Sequence, residues 1–278
     1  MPDAPKFILE TQNLNVEFRS RGKVSRVVRD VSFALKKGEI LAVVGESGSG
    51  KTVTSQALTG LLPAPPVCRV RGSVRLLGRK ILGLSERELQ KIRGGEIAYI
   101  FQDPLSSLNP VYSVGWQINE ALRFHVPALT TARARRERVK ESLAAVGVRP
   151  ELADAFPHEF SGGMQQRVMI AMALACEPKI LVADEPTTAL DVTIQKQITD
   201  LLLALRERFG LSIILITHNF GLVAQLADRV CVLFRGEKVE EGSVREVVGS
   251  PKNAYTRALL ASVPRLKNRA VPAGSDGD

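Results

Sequence analysis

The sequence lacks any uncharged apolar run long enough to span a bilayer, which takes about 20 consecutive residues. Its longest uncharged apolar stretch, Val168–Cys176, stops at Glu177. The N-terminus, MPDAPKFILE, has no basic region followed by an apolar region, so no signal peptide is predicted. Hydrophobic residues at 45% and charged residues at 24% exclude disorder as the main state, and the absence of a Gly-X-Y period excludes a collagen-like fibre.

Cysteine and histidine are scarce, with three of each in 278 residues. Cys68, Cys176 and Cys231 are far apart and form no CxxC pair, which argues against a structural zinc site. This cysteine usage favours a reducing, cytoplasmic setting. The net charge of +9 admits nucleic acid, phosphorylated ligands or an anionic membrane face as partners, and does not choose among them.

At about 150 residues per domain, the length indicates two domains or one large domain with an insertion. Strands are predicted near the N-terminus at Phe7–Glu10, Val16–Phe18 and Val27–Leu35. Apolar runs without alternation, typical of strands buried on both faces, follow at Glu39–Val44, Ile97–Phe101, Ile180–Ala183 and Ile213–Thr217. Helical segments separate them, so we expect an α/β fold with a mainly parallel sheet.

Roughly residues 103–175 change to a helical pattern, in which Val139 and Leu143 share one face. A capping box at Ser85–Glu88 predicts a short helix. A longer helix is predicted over Val192–Phe209, with Asp191 as its N-cap. A hairpin is predicted near residues 230–240.

The strongest motif fits G-x-x-x-x-G-K-[ST] directly after a predicted strand, the context that a phosphate-binding loop requires. Its residues are Gly45, Glu46, Ser47, Gly48, Ser49, Gly50, Lys51 and Thr52. Glycines let successive N–H groups turn toward phosphate oxygens, and the following helix presents its positive N-terminus. Lys51 is expected to meet the β/γ-phosphates and Thr52 to offer a hydroxyl to Mg²⁺. The alternative, a simple Gly/Ser turn, leaves the fixed Lys and Thr unexplained.

Asp184 and Glu185 end the apolar run that starts at Ile180. Acidic residues there lie at the edge of an open α/β sheet where ligands bind. Asp184 is a candidate for the Mg²⁺ shell, and Glu185 for orienting or deprotonating a water. Such a pair can also be only a strand meeting solvent.

Gln102 and His218 each follow another predicted strand. Each has an ordinary structural interpretation as a polar strand end. Together with the loop and the Asp-Glu pair, however, they place polar residues after four strands at one edge of the sheet. These are the glycines and lysine of the loop, Gln102, the Asp184–Glu185 pair and His218. That combination predicts a hydrolytic site.

A second glycine-rich segment, the signature segment, comprises Ser161, Gly162, Gly163, Met164 and Gln165. It precedes a predicted apolar helix over Val168–Ala175 and offers another anion cradle. Because the first loop already holds a nucleotide, we expect this cradle to serve the nucleotide of another subunit. A helix N-cap with flexible glycines remains the alternative.

In combination these segments resemble an ABC transporter ATPase subunit over about residues 6–266. Six motifs in family order carry the resemblance: the P-loop (45–52), the Q-loop IFQDP (100–104), the signature SGGMQ (161–165), the Walker B segment ILVADE (180–185), the D-loop TALD (188–191) and the switch histidine in THN (217–219). The resemblance implies a P-loop NTPase fold with a RecA-like core, an N-terminal antiparallel β subdomain and a helical subdomain. It implies bound ATP and Mg²⁺, a metal shell of Thr52, Gln102 and Asp184, catalysis by Glu185, Gln102 and His218, and a D-loop role for Asp191.

Closer similarity to the oligopeptide/dipeptide/nickel uptake branch lies in FQDPLSSLNPVYSVGWQI, DEPTTALDVTIQ and the terminal PKNAYTRALLASVP. It implies an ABC ATPase domain over residues 1–250, with a helical subdomain at about 103–175, and a short C-terminal extension over 251–278. It also implies an importer for peptides or a related small solute such as a nickel chelate. The implied partners are a second, different ABC ATPase subunit, two membrane permease subunits and an extracytoplasmic solute-binding protein, with no nucleic acid. The implied location is peripheral, on the cytoplasmic face of the cell (inner) membrane.

The sequence departs from the family pattern in a few places. Many members carry a cysteine-rich tail that resembles an iron–sulfur site; the three cysteines here are not clustered, so no iron–sulfur cluster is expected. Asn219 stands where the family often has Asp after the switch histidine. The adenine-stacking aromatic of the family falls on Phe18.

Two other functions compete with the importer. A soluble ABC ATPase acting on nucleic acid or the ribosome is compatible with the basic charge, but the tandem cassettes, zinc modules and long coiled-coil insertions usual in that group are not visible. A P-loop kinase or GTPase explains neither the signature segment nor the strand-end histidine.

Overall fold

The computed structural model describes residues 7–102, 107–188 and 190–262. In chain order the strands are β1 Leu9–Ser20, β2 Lys23–Leu35, β3 Ile40–Val44, β4 Cys68–Leu76, β5 Arg79–Lys80, β6 Ile97–Ile100, β7 Ile180–Asp184, β8 Ser212–Thr217, β9 Arg229–Phe234 and β10 Glu237–Ser243. The helices are α1 Lys51–Thr59, α2 Glu86–Ile92, α3 Val114–His125, α4 Ala132–Ala145, α5 Gly162–Leu174, α6 Val192–Phe209, α7 Phe220–Leu226, α8 Val244–Gly249 and α9 Ala254–Ala261.

The N-terminal part forms an antiparallel sheet in the order β2-β1-β4-β5. The two strands predicted at Phe7–Glu10 and Val16–Phe18 belong to one long strand, β1. The pairing of β1 with β2 shifts between Thr11 and Leu14, and Asn13 between them has φ 51°. This irregularity interrupts the period-2 alternation, which is why the sequence pattern indicated two strands.

The second sheet has the order β10-β9-β3-β8-β7-β6. Its strands run parallel except for β10, which forms the predicted hairpin with β9. Every residue of β3, β7 and β8 is buried, as expected for apolar runs covered on both faces. The predicted α/β class with a mainly parallel sheet is confirmed.

Helices α3, α4 and α5 pack into a layer whose buried side chains include Ile118, Leu122, Val139, Leu143 and Ile170. The shared face of Val139 and Leu143 is confirmed. Helix α5 starts at Gly162, six residues before the predicted start at Val168, because Ser161 already adopts the extended N-cap conformation (φ −65°, ψ 159°). The signature glycines therefore lie within the first turn of the helix rather than in a loop before it.

Helices α8 and α9 are the last elements of the described part of the chain. Helix α9 packs Tyr255, Leu259 and Leu260 against buried side chains that include Val44 of β3 and Val232 of β9. Three predicted segments lie partly outside the described residues: the helical segment at 103–106, the D-loop at Ala189 and the extension at 263–278. The division into domains stays a prediction. Within the described part, no helix is both long and apolar enough to cross a membrane.

We expect Leu143→Ala to lower the free energy of unfolding by about 2–5 kcal/mol, because it opens a cavity at a fully buried position between α4 and its neighbours. Urea unfolding followed by circular dichroism measures this. Lys140→Ala on the same helix removes a half-exposed side chain and should cost less than about 0.5 kcal/mol. Equal losses in the two variants would contradict the packing described for α4.

Candidate functional site

The predicted phosphate loop joins the end of β3 to the start of α1. At Gly45 (φ 154°) a Cβ would collide with the carbonyl oxygen of Leu233 and the side chain of Ser49. At Gly50 (φ 98°) a Cβ would lie 2.9 Å from the carbonyl oxygen of Val27. Glycine is thus required where β9 and β2 press against the two ends of the loop.

Lys51 lies at the base of this loop and is only 6% exposed. Its Nζ donates hydrogen bonds to the carbonyl oxygens of Gly45 (2.8 Å) and Glu46 (2.9 Å). Burial lowers the pKa of Lys51, while the carboxylates of Glu185 and Asp184 act in the opposite direction. Two backbone carbonyls of the loop therefore hold the Lys51 ammonium group near the carboxylates of Asp184 and Glu185.

The loop offers donors that the protein itself leaves unused. The Ser49 hydroxyl is buried and has no hydrogen-bond partner among the described residues. The first backbone bond of α1 runs from Thr54 N to Gly50 O, so the N–H groups of the preceding turn point out of the helix. An unpaired buried hydroxyl, free helix N–H groups and a buried ammonium together fit a phosphate ligand.

Asp184 is 2% exposed at the end of β7 and lies between two hydroxyl groups. Tyr99 OH donates to its Oδ2 (2.8 Å), and Thr52 Oγ1 donates to its Oδ1 (3.3 Å). Burial raises the pKa of Asp184, and these two hydrogen bonds oppose the rise. The Ser55 hydroxyl lies 2.8 Å from Tyr99 OH and completes the cluster.

The pair Thr52–Asp184 has the hard oxygen donors that Mg²⁺ prefers. Within the described residues no group of three or more His, Cys, Asp or Glu side chains could hold a metal ion. A magnesium ion here would therefore depend on phosphate and water oxygens for the rest of its shell, which is the usual arrangement for this ion.

Glu185 follows directly and has a different environment. Thr188 Oγ1 donates to its Oε2 at 2.8 Å, and Gln102 Nε2 donates to the same oxygen at 3.2 Å. His218 Nδ1 lies 3.0 Å from Oε1 and carries the proton, since a carboxylate only accepts. Burial acts to raise the pKa of Glu185, but the hydrogen bonds from His218 and Thr188 and the nearby positive charges lower it overall.

The structure thus brings together the predicted loop, which includes Thr52, and four further predicted residues: Asp184, Glu185, Gln102 and His218. Gln102 contacts Glu185 rather than Asp184. Tyr99 and Thr188 belong to the site but were not predicted. Tyr99 sits in a short apolar strand, where an aromatic residue is indistinguishable from a core residue, whereas Thr188 begins the TALD segment and could have been found there.

The signature segment lies elsewhere, at the start of α5. The Gln165 side chain is buried, and its Nε2 donates to the carbonyl oxygens of Pro157 (2.9 Å) and Phe160 (3.2 Å). A Cβ on Gly163 would lie 2.8 Å from Ile194 of α6. Ser161 and Gly162 are exposed. The segment therefore packs beside α6 and presents Ser161 and Gly162 outward, with Gln165 turned inward.

Three further residues have definite places. Asp191 N-caps α6, with Oδ1 accepting from Ile194 N at 2.9 Å. Asn219 N-caps α7, with Oδ1 accepting from Gly221 N at 2.9 Å, so the amide does the capping that an Asp would do. Phe18 is half-buried in β1 and packs against the core of the antiparallel sheet.

Comparisons with known proteins identify the family of the chain. A family model described as ABC transporter matches residues 28–188. The chain is 51% identical over 263 residues to the oligopeptide transport ATP-binding protein OppD of Bacillus subtilis (strain 168), covering 94% of this chain and 73% of that protein. It is 48% identical over 261 residues to the dipeptide transport ATP-binding protein DppD of the same organism, covering 93% and 77%.

Among solved structures, a similar chain is the ATP-binding cassette MJ0796, in a dimeric post-hydrolysis state bound to ADP and Pi. The superposition has a TM-score of 0.76 at 30% identity and covers 85% of this chain and 99% of that one.

We expect Lys51→Ala to weaken ATP binding about ten- to a hundredfold, because it removes a charge-assisted contact of about 1.5–3 kcal/mol. Equilibrium titration with a fluorescent ATP analogue measures the change. Lys37→Ala, which removes the same charge from an exposed position three residues before the start of β3 at Ile40, is the control and should bind as the unaltered chain does. Equal affinities for the two variants would contradict the phosphate-site assignment.

Proposed function

Because this chain belongs to the ABC transporter family, we propose that it is the ATP-hydrolysing subunit of an importer for peptides or a related small solute such as a nickel chelate. The observation that carries the proposal is the single edge at which Lys51, the Thr52–Asp184 pair and the Glu185–His218 pair meet. Relatives named for oligopeptide and dipeptide transport support the solute class. None of the similarities described above favours the nucleic-acid alternative.

ATP is the substrate in this proposal. Lys51, the Ser49 hydroxyl and the free N–H groups at the start of α1 bind its phosphates. Thr52 and Asp184 hold Mg²⁺, with Gln102 within reach of the same edge. Magnesium, when bound, supplies positive charge against the phosphate oxygens. Phosphoryl transfer needs mainly positioning and charge neutralisation, which these groups provide.

Glu185 is the proposed general base. Its lowered pKa keeps the carboxylate ionised near neutral pH, as a base must be. A carboxylate has about four acceptor positions, and His218, Thr188 and Gln102 occupy three of them, which leaves one for a water. His218 fixes Glu185 through Nδ1, and its exposed ring leaves Nε2 free to accept a hydrogen bond from the water.

The signature segment supports a two-subunit site. Its outward-facing Ser161 and Gly162 lie at the start of α5, separate from the loop of the same chain, so we expect them to close over the ATP of a neighbouring ATPase subunit. We propose that this neighbour is a second, different ABC ATPase, as the resemblance to the peptide-uptake branch implies. Asp191 caps α6 through Ile194 N, and the Ile194 side chain lies against Gly163, so we expect this D-loop residue to face the same neighbour.

A groove beside the site is the proposed contact with the permeases. It has a volume of about 680 Å³ and lies between the β6 edge and helices α3 and α5. Apolar side chains line much of it, including Leu61, Phe101 and Met172, and Phe101 is 42% exposed next to Gln102. The proposal also includes two permease subunits and an extracytoplasmic solute-binding protein as partners. The chain would lie peripherally on the cytoplasmic face of the inner membrane.

We expect Glu185→Gln to lower ATP turnover about 10²- to 10⁴-fold while keeping ATP affinity, because it preserves the size and shape of the side chain but removes the base. Steady-state hydrolysis and nucleotide titration measure the two effects separately. With Mg·ATP the assembled ATPase pair should stay dimeric on size-exclusion chromatography. Glu207→Gln, at an exposed position on α6, is the control. Near-normal hydrolysis by Glu185→Gln would remove Glu185 as the base and leave His218 as the candidate.

We expect the isolated chain to hydrolyse ATP slowly, because a site that needs a neighbour's signature segment is incomplete in a monomer. Activity should rise when the chain is assembled with the proposed second ATPase and the permeases. Full activity from a strictly monomeric chain, verified by light scattering, would refute the shared site.

A further inference from the structure

Helix α9 reaches the phosphate loop through one side chain. The hydroxyl of Tyr255 accepts a hydrogen bond from the backbone N–H of Glu46, with an N···O distance of 3.1 Å across 209 residues of sequence. Glu46 is the second residue of the loop, directly after Gly45. We propose that Tyr255 is a positioning residue of the nucleotide site, which holds the loop in its phosphate-binding shape; the inference rests on the proposed function.

The Tyr255 ring is fixed in place against β9. It packs on Phe234, the last residue of that strand, with ring centroids 4.1 Å apart and an interplanar angle of 35°. The residue before Phe234, Leu233, is the one whose carbonyl oxygen presses against Gly45. The ring and the loop therefore rest on the same strand end, and this shared support sets the distance between the hydroxyl and the Glu46 amide.

The start of α9 is anchored independently of the loop. The Glu240 carboxylate on β10 accepts from the N–H groups of Lys252 (2.7 Å) and Asn253 (3.2 Å). Asn253 in turn caps the helix, with Oδ1 accepting from Tyr255 N at 2.8 Å. Because these bonds hold the backbone around Tyr255 in place, the hydroxyl is presented to the loop already oriented.

A second contact supports the other half of the loop. The N–H of Gly236, in the turn between β9 and β10, donates to the carbonyl oxygen of Ser49 at 3.0 Å. Tyr255 thus accepts a hydrogen bond from the Glu46 N–H near the start of the loop, and Gly236 donates one to the Ser49 carbonyl near its end. These two bonds occupy the N–H of Glu46 and the carbonyl of Ser49, and leave the Ser49 hydroxyl and the N–H groups at the start of α1 for the phosphate. They therefore constrain the loop without taking up the groups proposed to bind the ligand.

The test uses Tyr255→Phe in the full chain, which removes the hydroxyl and keeps the ring on Phe234. One neutral hydrogen bond corresponds to about a two- to tenfold change in equilibrium. We expect the dissociation constant for ATP to rise by about that factor. Amide hydrogen exchange should become faster in peptides covering residues 45–52, with the melting temperature and exchange in β7 and β8 unchanged. Tyr112→Phe is the matched control, because Tyr112 also stacks on an aromatic ring, Trp116, and no described residue bonds its hydroxyl.

The outcomes separate this inference from the proposed function. If Lys51→Ala loses ATP binding while Tyr255→Phe matches the unaltered chain in affinity and in loop exchange, Tyr255 has no positioning role and the nucleotide site stands. If Lys51→Ala binds ATP as tightly as the unaltered chain, the proposed function itself fails. Weaker binding by Tyr255→Phe together with a lower melting temperature and exchange spread through the core would also overturn the inference, since it would reveal general destabilisation.

Discussion

The direction of the parallel strands is the constraint on which the site depends. Because β3, β6, β7 and β8 run the same way, their carboxyl ends meet at one edge of the sheet. Residues that are more than 80 positions apart then become hydrogen-bonded neighbours, as Gln102 and Glu185 are, or Tyr99 and Asp184. The full burial of the three central strands leaves little freedom for these ends to move apart, so the packing of apolar side chains maintains the geometry of the polar ones.

Two adjacent carboxylates at this edge differ in their electrostatics. Asp184 is almost fully buried, and the cost of burying its charge raises its pKa. The pKa of Glu185 is lowered overall because His218, Thr188 and positive charges nearby stabilise its carboxylate. Lys51 lies close to both and is itself partly desolvated. Adjacent carboxyl groups in such different environments are typical of sites in which two neighbouring acids have different roles.

The phosphate loop is shaped by chain segments on both sides of it in sequence. Strand β2 presses against Gly50, the end of β9 presses against Gly45, and the following turn bonds to Ser49. Helix α9 adds the bond from Glu46 to Tyr255. Both sheets and helix α9 therefore contribute to one loop, and glycine is required where β2 and β9 approach it most closely.

The sequence by itself determined the buried parallel strands β3, β6, β7 and β8, the helix α6, the phosphate loop and the order of the strand-end residues, because each depends on local spacing or on a short motif. It did not predict β4 or β5. It missed the single strand β1, since a local irregularity at Asn13 breaks the alternation, and it started α5 too late. It also could not assign Tyr99 or Tyr255 to the site, because an aromatic residue in an apolar segment has the same pattern whether or not its hydroxyl is used. Only the tertiary structure decided that Gln102 meets Glu185, that Gln165 turns inward and that α9 touches the loop. Those contacts join residues separated by many positions, and they follow from how strands and helices pack rather than from any local preference of the chain.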